Sequence, residues 1–414
     1  METLWSQRYA LRTRRMQSSI VRELLKLTEK PNLISFAGGL PAPEVFPLDE
    51  FREAAARVLT ESGPQSLQYS TTEGCPPLRE MIARHTARYG IVVQPENILI
   101  TSGSQQALDL LGKVFLNSGD RIAVERPTYL GALQAWNAYQ AQFLGIAMDD
   151  EGMRTDELES VLRSGPKFLY ALPNFQNPTG VTLSLKRRET LIEMADHFGV
   201  PIIEDDPYGQ LRYEGEHLPS LVVMDSCARD RKPFSGNVIY LSTFSKTLAP
   251  GLRLGWVVAP AEVIQRLVQA KQGTDLHTGT FVQMVAYELA HGGFLNKHVQ
   301  HIRSVYGARR DAILASLQKH MPAGVRWTKP QGGLFIWAVL PEHLNATDVL
   351  VEAVDERVAF VPGSAFYDDG SGKNTMRLNF SNASPDKIDE GMARLGGVIR
   401  RALERQPEVI PQKV

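Results

Sequence analysis

The chain has little of what would mark a secreted, membrane-spanning or nucleic-acid-binding protein. Only two of its 414 residues are cysteine, Cys75 and Cys227. Two are too few for a disulfide framework, and neither stands in a CxxC or a Cys/His metal-ligand spacing. No apolar run approaches the length needed to span a bilayer. The opening METLWSQRYALRTRRM carries basic residues with no apolar stretch behind them, so it does not read as a secretory signal. A reducing, cytoplasmic setting is the resulting expectation. Excess charge is also missing: 45 Lys+Arg face 46 Asp+Glu, a net of -1. A protein that holds a phosphate backbone usually shows a basic excess, so nucleic acid is not expected as its main partner. Internal repeats and low-complexity tracts are absent as well. What remains is a chain that is 43% hydrophobic and long enough for two or three domains around large cores.

From about Leu67 to Pro260, short apolar runs alternate with helical patterns. The runs are Asn97–Thr101, Arg121–Val124, Phe168–Leu172, Val200–Ile203, Val238–Leu241 and Gly255–Ala259. Helix-like stretches such as Ser104–Leu116 and Ser184–Phe198 lie between them. Continuous apolar strands separated by helices predict an α/β fold with a mostly parallel sheet covered on both faces. Beyond about Ala290 the texture changes to a long helical pattern (Phe294–Leu317), three short strand candidates (Leu334–Ala338, Val358–Val361, Met376–Phe380) and an amphipathic helix over Pro385–Leu403. That reads as a smaller α+β domain. The expected division is an N-terminal helix and connector over 1–45, a large domain over 46–290 and a small domain over 291–414. The connector FAGGLPAPEVFP is too rich in Gly and Pro for helix or strand.

In doubly wound sheets the ligand sits at the carboxyl ends of the strands, so the residues after each run are the candidates. After the first comes Ser102-Gly103-Ser104-Gln105, then a helix; a Gly/Ser turn at a helix start offers free N–H groups and hydroxyls to an anion, though such a tetrapeptide also serves as a plain N-cap. After Phe168–Leu172 comes PNFQNPTG, a rigid turn in which Pro178 fixes the backbone at Asn177, and in which the Asn177–Pro178 bond is expected to be cis. After Val200–Ile203 comes Glu204-Asp205-Asp206-Pro207-Tyr208. As a solvated loop these acids need no partner; at the mouth of a sheet Asp205 needs a cationic one, with the Tyr208 phenol three residues on. After Val238–Leu241 comes STFSKTLAPGLRLG. Lys246 there is flanked by hydroxyls and Arg253, and a desolvated lysine beside cations becomes a nucleophile for carbonyls. In MRLNFS, Met376, Leu378 and Phe380 share one strand face, leaving Arg377 on the other, free for a carboxylate or simply exposed. An anion cradle, a buried acid, groups for a phenolic oxygen and a nucleophilic lysine are together the set that pyridoxal phosphate needs.

The ordered motifs TSGSQQAL, RPTY, NPTG, DDPY, SKTLAPGLRLGW and MRLNFS give the chain a resemblance, over essentially its whole length, to the class I/II aminotransferases of pyridoxal-phosphate (PLP) fold type I. RELLKL, AGGLPAPEVFP, YSTTEG, AKQGTDLHT and VAFVPG are similar to the bacterial and archaeal 2-aminoadipate aminotransferase group, which often also accepts aromatic, kynurenine-type or branched-chain amino acids. The resemblance implies a seven-stranded, mostly parallel sheet, and PLP held on Lys246 as a Schiff base, with Lys246 then moving a proton between the substrate Cα and the cofactor carbon. Asp205 would pair with the pyridine nitrogen, and Asn177 and Tyr208 would hold the ring oxygen. Tyr129 would stack on the ring. Ser104, Gln105, Ser245 and Arg253 would hold the phosphate, with Tyr69 reaching the phosphate of a neighbouring subunit in a homodimer. Arg377 would clamp the substrate carboxylate, assisted by Asn177 and the backbone near Gly39. Amino-acid metabolism, lysine biosynthesis included, is the implied setting. The same scaffold also hosts decarboxylases and lyases, and some transcription regulators carry it behind a winged helix; the near-neutral charge and the early start of the connector speak against the regulator.

One further expectation concerns Ser18–Leu27, which reads as a short amphipathic helix with Arg22 and Lys26 on one face. Placed ahead of the connector, it could lie over the pocket as a lid and bring Arg22 to a distal carboxylate, or it could be an ordinary solvated helix. On the lid reading, Arg22→Ala raises KM for 2-aminoadipate and 2-oxoglutarate by about tenfold or more and leaves leucine half-reaction kinetics nearly unchanged. Equal effects on acidic and apolar donors, measured in single-turnover kinetics, would assign Arg22 a structural role.

Overall fold

The computed structural model describes residues 3–16, 32–227 and 234–405. Its centre is a mixed sheet whose strands lie in the spatial order Ile98–Thr101, Gly255–Val258, Val238–Thr243, Ile202–Asp205, Leu169–Ala171, Arg121–Arg126, Gln142–Asp149 and Gly152–Met153. All six apolar runs singled out in the sequence are strands. Gln142–Asp149 was not among them: it is a half-exposed strand near the sheet edge, so it lacks the continuous apolar texture of its neighbours. The eighth strand is a two-residue return that pairs antiparallel with the end of Gln142–Asp149. Of the seven longer strands, only Gly255–Val258 runs against the others, pairing antiparallel with both flanking strands.

Burial on both faces explains the continuous runs. Ile98, Ile100, Ala123, Leu169, Ala171, Ile202 and Val238 pack on one side. Leu99, Ile122, Val124, Tyr170, Ile203, Ile239 and Leu241 pack on the other. The assignment alternates residue by residue, as the pleat requires.

Toward the C-terminus a four-stranded antiparallel sheet is ordered Arg326–Trp327, Phe335–Val339, Thr375–Asn379 and Val361–Pro362. The helix Pro385–Glu404 buries Ile388, Met392, Leu395 and Ile399 in the core beneath it, at helical spacing. The connector joins this core: Ile34–Ser35 pairs parallel with Val358–Ala359, and Phe36 and Ala37 are buried with them. Further along, Ala42 and Val45 pack with Phe175, Tyr208 and Phe335. The connector therefore passes directly across the region where strand ends of the large sheet meet the small sheet. No helix among the described residues is long and apolar enough to cross a membrane.

The loop over 173–180 is fixed by a buried arginine. Arg188 donates from Nε to Leu183 O at 2.9 Å and from Nη1 to Pro219 O at 2.9 Å. Its Nη2 reaches Pro173 O at 2.8 Å and Asn174 Oδ1 at 2.7 Å. Gly180 closes the loop with φ 71, where a Cβ would strike Phe335 O at 2.4 Å, so only glycine allows this close approach to the small sheet. Asn177–Pro178 is cis, as is Arg126–Pro127. Replacing Arg188 by Met would strip Leu183 O, Pro219 O and Asn174 Oδ1 of this donor and leave Pro173 O with the Leu183 amide. The expected cost is on the order of 3 kcal/mol, read as a lower thermal midpoint; an unchanged midpoint would mean that water can replace the guanidinium.

Candidate active site

Four strand ends and the connector converge on one cleft. Lys246 follows the strand Val238–Thr243. Its Nζ donates to Gly39 O at 2.7 Å. Burial, reinforced by the positive charges of Arg377 and Arg253, pushes its ammonium pKa down to about 8. A larger share of amine is therefore free and nucleophilic near neutral pH than for a surface lysine.

Asp205 ends the strand Ile202–Asp205 and is buried. Its Oδ2 accepts from the Tyr170 hydroxyl at 2.7 Å, while its Oδ1 is buried with no hydrogen-bond partner. Desolvation pushes its pKa up to about 7. A cation brought to Oδ1 would reverse that, because an adjacent opposite charge favours the carboxylate. Asp206 differs. It accepts from Asn174 Nδ2 at 3.0 Å and from the Tyr240 hydroxyl at 3.2 Å, so it ties the turn together instead of facing the cleft unpaired.

Arg377, on the strand Thr375–Asn379, is 3% exposed. It is not a surface arginine. Nη1 donates to Asn177 Oδ1 at 2.9 Å and Nη2 to Ala37 O at 2.7 Å, and Nε has no partner. The guanidinium lies over the Phe335 ring at 4.3 Å and the Phe366 ring at 4.9 Å, which stabilises a cation taken out of water. Burial still draws its pKa down to about 10. Tyr208 is buried and edge-on to Phe335, and burial raises its phenol pKa.

The anion cradle is built from the turn 102–104. Gly103, with φ 79, caps the helix Ser104–Phe115, and a Cβ there would meet Arg253 Nη2 at 2.5 Å. The Ser104 hydroxyl is buried without a partner. The Ser245 amide donates to Thr243 Oγ1 at 3.0 Å, and the Ser245 hydroxyl is hydrogen-bonded to the same Thr243 Oγ1 at 2.9 Å. Beneath the turn, Gln106 Oε1 accepts from Ser102 N and from Lys271 Nζ, each at 2.7 Å, and Lys271 is in turn paired with Asp275 at 2.9 Å. The Gln105 side chain donates from Nε2 to Gly131 O at 2.9 Å, which turns one of its amide hydrogens away from the cradle. Tyr129 precedes the helix Leu130–Asn137, its ring close over Gly131.

Most of the residues singled out in the sequence thus gather in one place. Tyr69 does not join them: it is 79% exposed and edge-on to His277. Arg22 lies outside the described residues. The Gly39 carbonyl serves Lys246 and the Ala37 carbonyl serves Arg377. The sequence reading missed Tyr170, Phe335, Phe366, Ala37 and Lys271. Tyr170 sat in an apolar strand and read as core, and no local signal distinguished it.

The residues fit pyridoxal phosphate. Asp205 Oδ1 and Ser104 Oγ are buried polar atoms that the described residues leave unpartnered, and the Gly103 turn beside Arg253 leaves backbone N–H groups open where a side chain would fill the space. Residues 33–395 match the family model for aminotransferase class I and II. The chain belongs to that family. It is 48% identical over 397 residues to aromatic-amino-acid aminotransferase 1 of Thermococcus litoralis, covering 94% of this chain and 93% of that one. It is 46% identical over 400 residues to 2-aminoadipate transaminase of Thermus thermophilus, covering 96% and 98%. The crystal structure of LysN, the alpha-aminoadipate aminotransferase of Thermus thermophilus, in complex with N-(5'-phosphopyridoxyl)-L-leucine superimposes with a TM-score of 0.90 at 45% identity, covering 97% of this chain and 100% of that one. This protein is accordingly a PLP-dependent aminotransferase of fold type I.

The depressed lysine basicity has a direct consequence. On the expectation that Lys246 is the amine that captures pyridoxal phosphate, the rate of cofactor uptake by the apoenzyme should rise with pH through an apparent pKa of about 8. Stopped-flow absorbance across pH 6–10 (roughly the span around the expected midpoint) checks this. A midpoint close to that of a free lysine would mean that the cleft is wetter than the structure has it.

Proposed function

We propose that the aminotransferase moves the amino group of 2-aminoadipate, and of aromatic or branched-chain L-amino acids, to a 2-oxo acid such as 2-oxoglutarate. The observation that carries this reading is the near-equal likeness to two relatives of different name, one an aromatic-amino-acid aminotransferase and one a 2-aminoadipate transaminase. The leucine moiety of the ligand in the Thermus thermophilus structure supports an apolar donor as well.

Bound at Lys246, pyridoxal phosphate supplies a carbonyl for the amino group and an electron-withdrawing ring that stabilises negative charge at the substrate Cα. Ser104, the Gln105 N–H, Ser245 and Arg253 hold the phosphate. Asp205 Oδ1 accepts from the ring nitrogen and keeps it protonated. Asn177 and the Tyr208 hydroxyl bind the ring oxygen, and Tyr129 covers the ring face. Arg377 turns its Nε and Nη groups to the substrate α-carboxylate. Asn177, already on Arg377 Nη1, ties carboxylate recognition to ring recognition. Lys246 Nζ would take the proton from the substrate Cα, and the contact with Gly39 O at 2.7 Å shows that it can be oriented from the connector. The exposed Tyr69 reaches the phosphate site of a second copy, so the working unit is a homodimer.

A donor panel with 2-oxoglutarate as acceptor tests the substrate class. Turnover is expected with 2-aminoadipate and with phenylalanine, kynurenine or leucine. Arg377→Ala should lower kcat/KM for every donor by about a hundredfold or more, since all share the α-carboxylate. Carbon dioxide release without amino transfer, or activity confined to one donor class, would overturn the proposal.

A further inference from the structure

Asp205 offers only one free oxygen because Tyr170 occupies the other. The two residues sit on adjacent parallel strands, with Tyr170 in register with Ile203. Asp205 is two residues beyond Ile203, so pleat alternation puts Tyr170, Ile203 and Asp205 on the same face as diagonal neighbours. The phenol spans that diagonal to donate at 2.7 Å to Oδ2. Its ring cannot swing away. Tyr170 is fully buried and edge-on to Trp136, with centroids 5.0 Å apart at 85°. Trp136 is itself held by its indole N–H on Leu108 O at 2.9 Å.

We propose that Tyr170 is a positioning residue for the reaction: its hydroxyl orients the Asp205 carboxylate, holds it ionised, and leaves Oδ1 as the single acceptor for the cofactor ring nitrogen. This rests on the proposed pairing of Asp205 with that nitrogen. The surroundings of Asp205 make the donor necessary. Asp206 on its own loop repels it, as does Glu125 from the strand Arg121–Arg126, and the Tyr208 and Tyr129 phenols face the same cleft. Among these groups, the Tyr170 hydroxyl is the one that donates to the carboxylate. Without it a buried carboxylate would lose one of its two intended partners and shift toward the neutral acid, which cannot hold a proton on the ring nitrogen.

The test uses the holoenzyme and the pH midpoint of its cofactor absorbance, which reports proton loss at the Lys246 linkage. A ring nitrogen that has lost its proton withdraws fewer electrons, so the linkage keeps its own proton to higher pH. Tyr170→Phe keeps the ring against Trp136 and removes only the hydroxyl. The midpoint is expected to rise by about one pH unit, with kcat falling more than KM changes. Site-specific 3-fluorotyrosine at position 170, a stronger donor of nearly the same size, should move the midpoint down. That variant keeps the proposal falsifiable if the phenylalanine protein does not fold. In an Asp205→Asn background neither change should move the midpoint further, because the carboxylate through which Tyr170 acts is gone. A Tyr170→Phe or fluorotyrosine midpoint equal to that of the wild type, or a shift that persists with Asn at 205, overturns the role of Tyr170. If Asp205→Asn alone leaves both midpoint and turnover unchanged, it is the pairing of Asp205 with the cofactor that fails.

Discussion

Everything around the cleft answers to one constraint: a lysine, a carboxylate and a guanidinium are taken out of water close together without forming ion pairs with one another. Each drifts toward its neutral form for the same reason. Lys246 is drawn to about 8, Asp205 is pushed to about 7 and Arg377 is drawn to about 10, with burial as the first cause in all three. An uncompensated buried charge is costly, so each needs fixed dipoles in place of a counter-ion. The structure supplies carbonyl oxygens to the two cations and a phenol to the anion. What stays unpaired, Asp205 Oδ1 and Arg377 Nε, is what a cofactor and a substrate can complete. The site is thus electrostatically unfinished at one carboxylate oxygen and one guanidinium nitrogen.

Such a site depends on backbone that does not move, and a second set of buried ionisable groups provides it. Glu204, the neighbour of Asp205, accepts from the amides of Leu221 and Val222 at 2.9 and 2.8 Å and so anchors the chain that runs behind the strand. Glu125 accepts from Gln176 Nε2 at 3.1 Å, and Gln176 also binds Pro127 O and the Thr179 amide, joining the two loops that contain the cis prolines. Arg188 and Lys271 do the same for the 173–180 loop and the anion turn. The contacts of these groups are with backbone and neighbouring side chains. Their part is to convert sheet geometry into fixed positions for Asn177, Asp205 and Ser104.

How far the sequence reveals this depends on the range of the signal. The six apolar runs became strands because a strand buried on both faces writes itself as continuous hydrophobicity. Gln142–Asp149 did not, because a strand near the edge is half wet. Lys246, Asp205, Asn177 and Arg377 were legible because strand-end position, residue type and ordered motifs agreed. Tyr170 was not: a tyrosine inside FLYAL reads as core, and only the register with Ile202–Asp205 turns its hydroxyl into a donor. Arg188 was equally silent, since a lysine/arginine-rich helix start normally faces solvent, and its burial follows from a loop folded back over it. Asp205 and Asp206 read alike as letters, and their partners separate them.

The connector draws these layers together. A stretch that reads only as Gly- and Pro-rich linker begins as a strand against Val358–Ala359, puts the Ala37 carbonyl on Arg377 and, two residues on, the Gly39 carbonyl on Lys246. It then fixes the Ala42 amide on the Tyr306 hydroxyl at 3.0 Å, in the long helix Phe294–His320. Arg377 and Lys246 therefore share one three-residue span of backbone. Drawing Arg377 off Ala37 O changes the restraint on the segment that holds Lys246, and drawing Lys246 off Gly39 O changes the restraint on Arg377. Irregular, glycine-rich backbone suits this span better than a regular element would, because in a helix or a sheet interior those two carbonyls would already be committed to the ladder.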